Sequence, residues 1–89
     1  MMSVRPENMH EKDLEIIEKY LAEMFMPEFA RAVIEKQLGD LGESRETYSR
    51  EILDKLLRRI EEKVLRSFKG DEARHIVLRI KKEIVGAEA

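Results

Sequence analysis

Cysteine is absent from this chain of 89 residues, and proline, glycine and histidine are scarce. Without cysteine the chain can form neither a disulfide nor a thiolate zinc site, and it cannot use a cysteine nucleophile. No apolar run approaches the ~20 residues that a membrane-spanning helix needs, so we expect a protein without a membrane span. The N-terminus has no apolar region of the kind that a signal peptide carries, which predicts a cytoplasmic protein.

Charged residues are abundant, at 40% of the chain against ~25% in an average domain. The hydrophobic share of 43% excludes a disordered chain. Many Glu, Lys and Arg residues beside only two side-chain amides, Asn8 and Gln37, indicate a thermophilic protein, although five methionines argue mildly against it. The length predicts a single domain over residues 1–89 whose own core is marginal, so that helical packing, oligomerisation or a partner must supply further stability.

Charge is unevenly distributed along the chain, although the net charge is only −2. Residues 1–43 carry 10 acidic and 5 basic side chains, whereas residues 44–89 carry 9 acidic and 12 basic ones. Either the two halves attract each other within the fold, or the second half offers a basic surface to an acidic partner. We favour the first interpretation, because acidic residues such as Glu61 and Glu62 interleave with the bases.

Apolar residues recur at helical spacing in four segments of the sequence. This pattern predicts an all-α fold, a small bundle of three to four helices with a long third helix. The residues expected to be frayed at the start are 1–8. The predicted helices cover residues 10–25, 28–38, 44–69 and 72–85.

Proline, glycine and serine residues mark where the predicted helices begin and end. Pro27 predicts either a corner between the first two helices or a kink in one continuous helix, and we favour the corner. Gly39 and Gly70 are expected to end helices, and Ser44 is expected to cap the third helix. An i+4 ridge along that third helix should face the core, and it consists of Tyr48, Ile52, Leu56, Ile60, Val64 and Phe68.

The fourth helix carries more apolar surface than one neighbouring helix can cover. Its main stripe consists of Ala73, Ile76, Val77, Ile80 and Ile84. Leu78 and Val85 lie off that stripe, and a small domain with a second apolar line usually buries it against another chain. The sequence therefore predicts a protein–protein interaction domain. We favour a homodimer formed through the third and fourth helices, and a complex with an unidentified protein is the alternative. The candidate interface contacts are Leu53, Leu57, Leu78 and Val85.

A second apolar group surrounds the predicted proline corner, where Met24, Phe25 and Met26 are followed by Phe29. Methionine-rich surfaces can adapt to different partners. The same kinds of residue also fill irregular gaps where a core bends. We favour the second interpretation and expect these residues to belong to the core.

Residues 41–50 read Leu-Gly-Glu-Ser-Arg-Glu-Thr-Tyr-Ser-Arg. The segment resembles the turn and recognition helix of bacterial helix-turn-helix regulators of the catabolite-activator kind, which often read Leu-Gly-x-Ser-Arg-Glu-Thr-Val-Ser-Arg. At the buried positions of that family this chain departs from the pattern, with Leu38, Glu43 and Glu51. DNA binding is therefore ranked as the alternative to protein association. The resemblance implies that the residues facing the DNA major groove are Arg45, Thr47, Ser49 and Arg50.

Basic residues of the third and fourth helices extend this nucleic-acid alternative, which covers DNA or RNA. Arg59, Lys63 and Arg66 share one side of the predicted helix. However, Glu62 stands next to Lys63, and we expect no exposed aromatic side chain on which a base could stack. We favour a solvated face with ion pairs between residues four apart, such as Glu62–Arg66.

Catalytic and metal-binding patterns are weak throughout the sequence. His10 and His75 are the two imidazoles, and Glu72-x-x-His75 has the spacing of a helical metal site only once. Ser44 and Asp71 are better explained as helix caps than as members of a catalytic pair. We therefore expect no cofactor, no metal and no enzymatic activity.

Overall fold

The computed structural model describes the backbone of residues 7–86 and the side chains of residues 11–86. The expected frayed start at residues 1–8 falls mostly outside this part of the chain. Residues 7 and 8 already belong to the first helix. His10, one of the two imidazoles considered for a metal site, also lies outside the described side chains.

Four helices make up the described chain, which confirms the all-α prediction. The third helix begins with a 3₁₀ turn (Arg50–Ile52) and continues as an α-helical segment (Leu53–Ile60). It then passes through a π turn (Glu61–Leu65) and ends with an α-helical turn (Arg66–Lys69). Over residues 7–86, no helix is both long enough and apolar enough to cross a membrane. The helices are α1 (Glu7–Met24), α2 (Pro27–Asp40), α3 (residues 50–69) and α4 (Glu72–Gly86).

Pro27 separates α1 from α2, so the predicted corner is confirmed and the continuous kinked helix is wrong. Met26 precedes the proline in an extended conformation, with φ −74° and ψ 149°. Pro27 itself is the first residue of α2, where a missing backbone N–H has little effect because the first turn of a helix leaves its N–H groups unpaired. The chain therefore reverses direction immediately after Phe25.

The connection between α2 and α3 differs from its prediction at both ends. Helix α2 continues through Gly39 to Asp40, and the positive φ angle, 78°, occurs at Gly42. Ser44 does not start a long helix, since the backbone is extended again at Ser49 before α3 begins at Arg50. The Thr47 hydroxyl accepts a hydrogen bond of 2.8 Å from the Ser44 N–H. Such local side-chain bonds compete with helix formation, so residues 44–47 form a single turn instead of the start of a helix.

The core is continuous and draws on all four helices. In α1 the predicted stripe is confirmed, because Leu14, Ile17 and Leu21 are fully buried. Of the predicted ridge, Tyr48 is buried but precedes α3, and Ile52 is partly buried. Leu56, Ile60 and Val64 are buried, and the ridge fails at Phe68, which is 61% exposed. The π turn at Glu61–Leu65 changes the helical phase just before Phe68, so an i+4 pattern no longer marks the core-facing side there.

Candidate functional site

Large apolar side chains are exposed on two separate surfaces of the described chain. Leu78 (54% exposed) and Val85 (49%) lie on the outer face of α4. Met26 (70%), Phe29 (42%) and Phe68 (61%) lie at the other surface, around the α1–α2 corner and the last turn of α3. Met24 and Phe25 pack against the core as expected, whereas Met26 does not. The expectation that Phe29 belongs to the core is also wrong. It lies at the edge of the apolar stripe of α2, in the first turn, where the core no longer covers it.

Three phenylalanine rings form what we call the aromatic cluster, which consists of Phe25, Phe29 and Phe68. The ring centroids of Phe25 and Phe29 are 5.1 Å apart, and those of Phe25 and Phe68 are 5.0 Å apart. Both pairs are tilted, by 60° and 66°, as the charge distribution of aromatic rings prefers. Phe25 packs against the core, so it holds the other two rings in place while they remain exposed.

Local sequence signals place these three rings together. Pro27 turns the chain so that Phe29, one turn into α2, folds back onto Phe25. Gly70, with a φ of 58°, ends α3 two residues after Phe68. The cluster therefore joins the start of α2 to the end of α3, two points far apart in sequence.

A groove between α2 and α3, which we call the α2–α3 groove, adjoins the aromatic cluster and has a volume of about 460 Å³. Phe29 lines the groove and also belongs to the cluster, so the two form one apolar surface. Lys36 and Lys63 lie along the edges of the groove. Its apolar lining comes from Phe29, Ala32, Val33 and Val64.

Polar contacts close the far end of the α2–α3 groove. The Arg59 Nε donates a hydrogen bond of 2.9 Å to Gln37 Oε1, and Arg59 Nη2 donates one of 2.8 Å to Asp40 Oδ2. Lys36 Nζ lies 3.2 Å from the same carboxylate oxygen. Hydrogen bonds from Lys36 and then Arg59 hold the pKa of Asp40 below its ordinary value. Arg59 is thus used within the chain, which removes it from the free basic face that the nucleic-acid alternative needs.

The four predicted interface residues fall into two classes. Leu53 and Leu57 are each 2% exposed and belong to the core of the single chain, so this part of the prediction is corrected. Leu78 and Val85 are exposed as predicted, but Lys82 lies between them on the same helix face. The α4 pair therefore forms two separate apolar spots beside a positive charge.

The segment that resembles a recognition helix does not form one, because a turn and extended residues occupy positions 43–49. Its two arginines point back into the fold. Arg45 Nη2 donates a hydrogen bond of 3.0 Å to Glu18 of α1. Thr47 bonds the backbone of Ser44, and Ser49 precedes the first turn of α3 in an extended conformation. Physically, the helix that should present these residues to a major groove is missing.

Arg50 and Tyr48 instead build what we call the Asp13 clamp, which consists of Asp13, Tyr48 and Arg50. Arg50 binds the Asp13 carboxylate through two nitrogens, at 2.7 and 3.0 Å. The Tyr48 hydroxyl donates to the same group at 2.8 Å. Burial, together with this bond to Asp13, raises the pKa of Tyr48 above its ordinary value. The clamp fastens the α2–α3 connection to α1 and was missed by sequence reasoning.

Arg66 and Lys63 are the remaining residues of the nucleic-acid alternative. Arg66 pairs with Glu61 at 3.2 Å instead of the predicted Glu62. Glu61 is buried in the π turn of α3 and also accepts a hydrogen bond of 3.3 Å from Arg74. Lys63 is exposed at the edge of the α2–α3 groove. The expectation that no aromatic side chain is exposed is wrong, given Phe68.

Metal binding finds no support among the described side chains, where no group of three or more His, Cys, Asp or Glu residues could hold an ion. His75 is exposed on α4.

No family model, no curated protein and no solved structure matches the chain in comparisons with known proteins. The candidate function must therefore be inferred from the surface of this chain itself.

Proposed function

We propose that this chain is a small helical protein-interaction domain that forms a homodimer through the aromatic cluster and the α2–α3 groove. The observation that carries the proposal is the exposure of Phe29 and Phe68 in one place, beside an apolar groove. Single exposed apolar residues are ordinary, but a joined apolar patch is typical of an interaction site. Aromatic residues are also enriched at the energetic centres of protein interfaces.

The aromatic cluster is a better interface than the outer face of α4, which the sequence pattern favoured. Arg79 and Lys82 are exposed next to Leu78 and Val85. In a symmetric dimer each surface patch meets its own copy, so these positive charges would approach one another. Like charges brought together across an interface cost several kcal/mol. Exposed charges of both signs surround the aromatic cluster, with Lys63 and Lys69 beside Asp71 and Glu72, so a twofold dimer can pair opposite charges there.

The mass of the protein in solution tests the proposal, measured by light scattering over a range of concentrations. We expect the wild type to be a dimer and the Phe68→Ala variant to be a monomer with unchanged helical circular dichroism. Leu78→Ala is the matched control, because Leu78 is similarly exposed on the other surface, and it should remain dimeric. A wild type that stays monomeric at every concentration would show that the proposed function is wrong.

Nucleic-acid binding is the second candidate, and the exposed ring of Phe68 near Lys63 and Lys69 is the observation in its favour. Bases stack on exposed aromatic rings, and lysines bind the phosphates. Glu62, Asp71 and the internal pairing of Arg59 weaken this surface for a polyanion. Fluorescence anisotropy with single-stranded and duplex oligonucleotides at low salt decides between the two. Binding that weakens steeply with added salt would support this second candidate.

A further inference from the structure

We infer that the two copies of the dimer exchange Phe68, each inserting this ring into the α2–α3 groove of the other. The inference rests on the proposed homodimer and specifies its geometry. Helices α2 and α3 of one copy would face the same two helices of the second copy across a twofold axis. The interface would then be a four-helix arrangement with an aromatic contact repeated on each side of the axis.

Phe68 has the features of an inserted side chain. It is 61% exposed in the last turn of α3, and the helix ends at Lys69. The edge contact with Phe25, at a centroid distance of 5.0 Å, fixes the ring before any partner arrives. A side chain that is already ordered loses less entropy on binding, so its burial stabilises the complex more.

The α2–α3 groove has the size and lining of a receiving site. Its volume of 460 Å³ falls within the range of about 300–1,000 Å³ that is typical of ligand pockets. Val33 and Val64 are almost completely buried where they contribute to its lining, and Ala32 leaves room because its side chain is short. A phenyl ring placed there would contact apolar atoms from both helices.

Phe68 and the groove lie on the same surface of one chain, which is the requirement for a closed symmetric dimer. Val64 lines the groove and stands one helical turn before Phe68. In a twofold dimer, residue i of one copy contacts residue j of the other, and j contacts i in return. A surface that holds both a projecting ring and an apolar groove is therefore complementary to itself.

The charges around the two features are complementary as well. Asp71 and Glu72 are exposed just after Phe68 and Lys69, while Lys63 lines the groove, where Lys36 is already paired with Asp40. Insertion of Phe68 would bring Asp71 and Glu72 of one copy toward Lys63 of the other. This arrangement favours a second copy of the same chain, because both charge sets occur on every copy.

Two variants that each fail to dimerise should form a dimer when mixed, and this is the test. Ala32→Glu blocks the groove with a charged side chain on an exposed helical position, and Phe68→Ala removes the ring. We expect each variant to be monomeric. In the mixture, the intact ring of the groove variant can enter the intact groove of the ring variant, so a heterodimer should appear, weaker than the wild type.

The control mixes Phe68→Ala with the double variant Ala32→Glu/Phe68→Ala, in which no intact ring remains and no heterodimer should form. Ala32→Lys repeats the blocking with the opposite charge. A wild type that is monomeric overturns the proposed function itself. A dimeric wild type whose Ala32→Glu variant also dimerises overturns the exchange of Phe68 alone. So does a mixture that stays monomeric at the highest soluble concentration.

Discussion

The two ends of α1 lie beside regions of opposite character. Near its first turns, the Asp13 clamp buries a carboxylate and draws the polar side chains of Tyr48 and Arg50 inward. Just beyond its last turn, the aromatic cluster leaves Phe29 and Phe68 exposed to water. A polar group that is buried with full hydrogen bonding belongs to the stability of one chain, whereas an apolar group left exposed is available to a second chain.

Breaking the Asp13 clamp should produce the largest change in stability. Asp13→Ala leaves the buried Tyr48 hydroxyl and the Arg50 guanidinium without their shared carboxylate. We expect the free energy of unfolding to fall by about 2–3 kcal/mol. Chemical denaturation followed by circular dichroism measures this change. Tyr48→Phe removes one hydrogen bond and should cost about 1 kcal/mol. If both variants unfold like the wild type, the clamp does not stabilise the chain.

Alkaline pH should weaken the clamp without any substitution. The chain has two tyrosines, and in both the folded state raises the pKa, Tyr20 through its hydrogen bond to Glu83 and Tyr48 through burial. Tyrosines of the unfolded chain ionise near pH ~10. Their contribution to stability is therefore complete below that pH and is lost as the pH rises above it.

Denaturation midpoints measured at increasing pH test this prediction, together with the ultraviolet absorbance of tyrosinate. Tyrosine ionisation in the folded protein should be delayed relative to the denatured protein. Tyr48→Phe should remove most of the pH dependence and serves as the matched control. Ionisation of Tyr48 at the same pH in both states would contradict the burial of its hydroxyl.

Substitution of the charges at the α2–α3 groove should give the smallest change in the free energy of dimerisation. Lys63→Glu places an acidic residue opposite Asp71 and Glu72 of the second copy and should weaken the dimer by about 0.5–1 kcal/mol for each contact. Glu72→Lys in the same chain should restore part of the loss. Sedimentation equilibrium of the single and double variants measures the dissociation constants. Purely additive effects would show that these residues do not meet across the interface.

Much of the fold follows from local sequence signals. The stripe of Leu14, Ile17 and Leu21 in α1, the corner at Pro27 and the helix end before Gly70 all match their predictions. These features depend on helical periodicity and on the backbone preferences of single residues. Neither kind of signal needs knowledge of the tertiary fold.

The features that sequence reasoning missed depend on contacts between distant residues. Tyr48 and Arg50 meet Asp13 across 35 and 37 residues, and no local pattern predicts that pairing. The exposure of Phe68 follows the π turn of α3, which an i+4 pattern does not predict. The group at Met24–Met26 fitted either an exposed patch or a bend in the core, and the structure divides it, since Met24 packs against the core and Met26 is exposed.

The solution mass of the wild type and of Phe68→Ala, measured side by side by light scattering, tests the central claim most directly. The account predicts that the wild type has twice the mass of one chain and that the variant has the mass of a single folded chain. Equal masses for the two proteins, with both folded, would contradict the claim that the aromatic cluster holds two copies together.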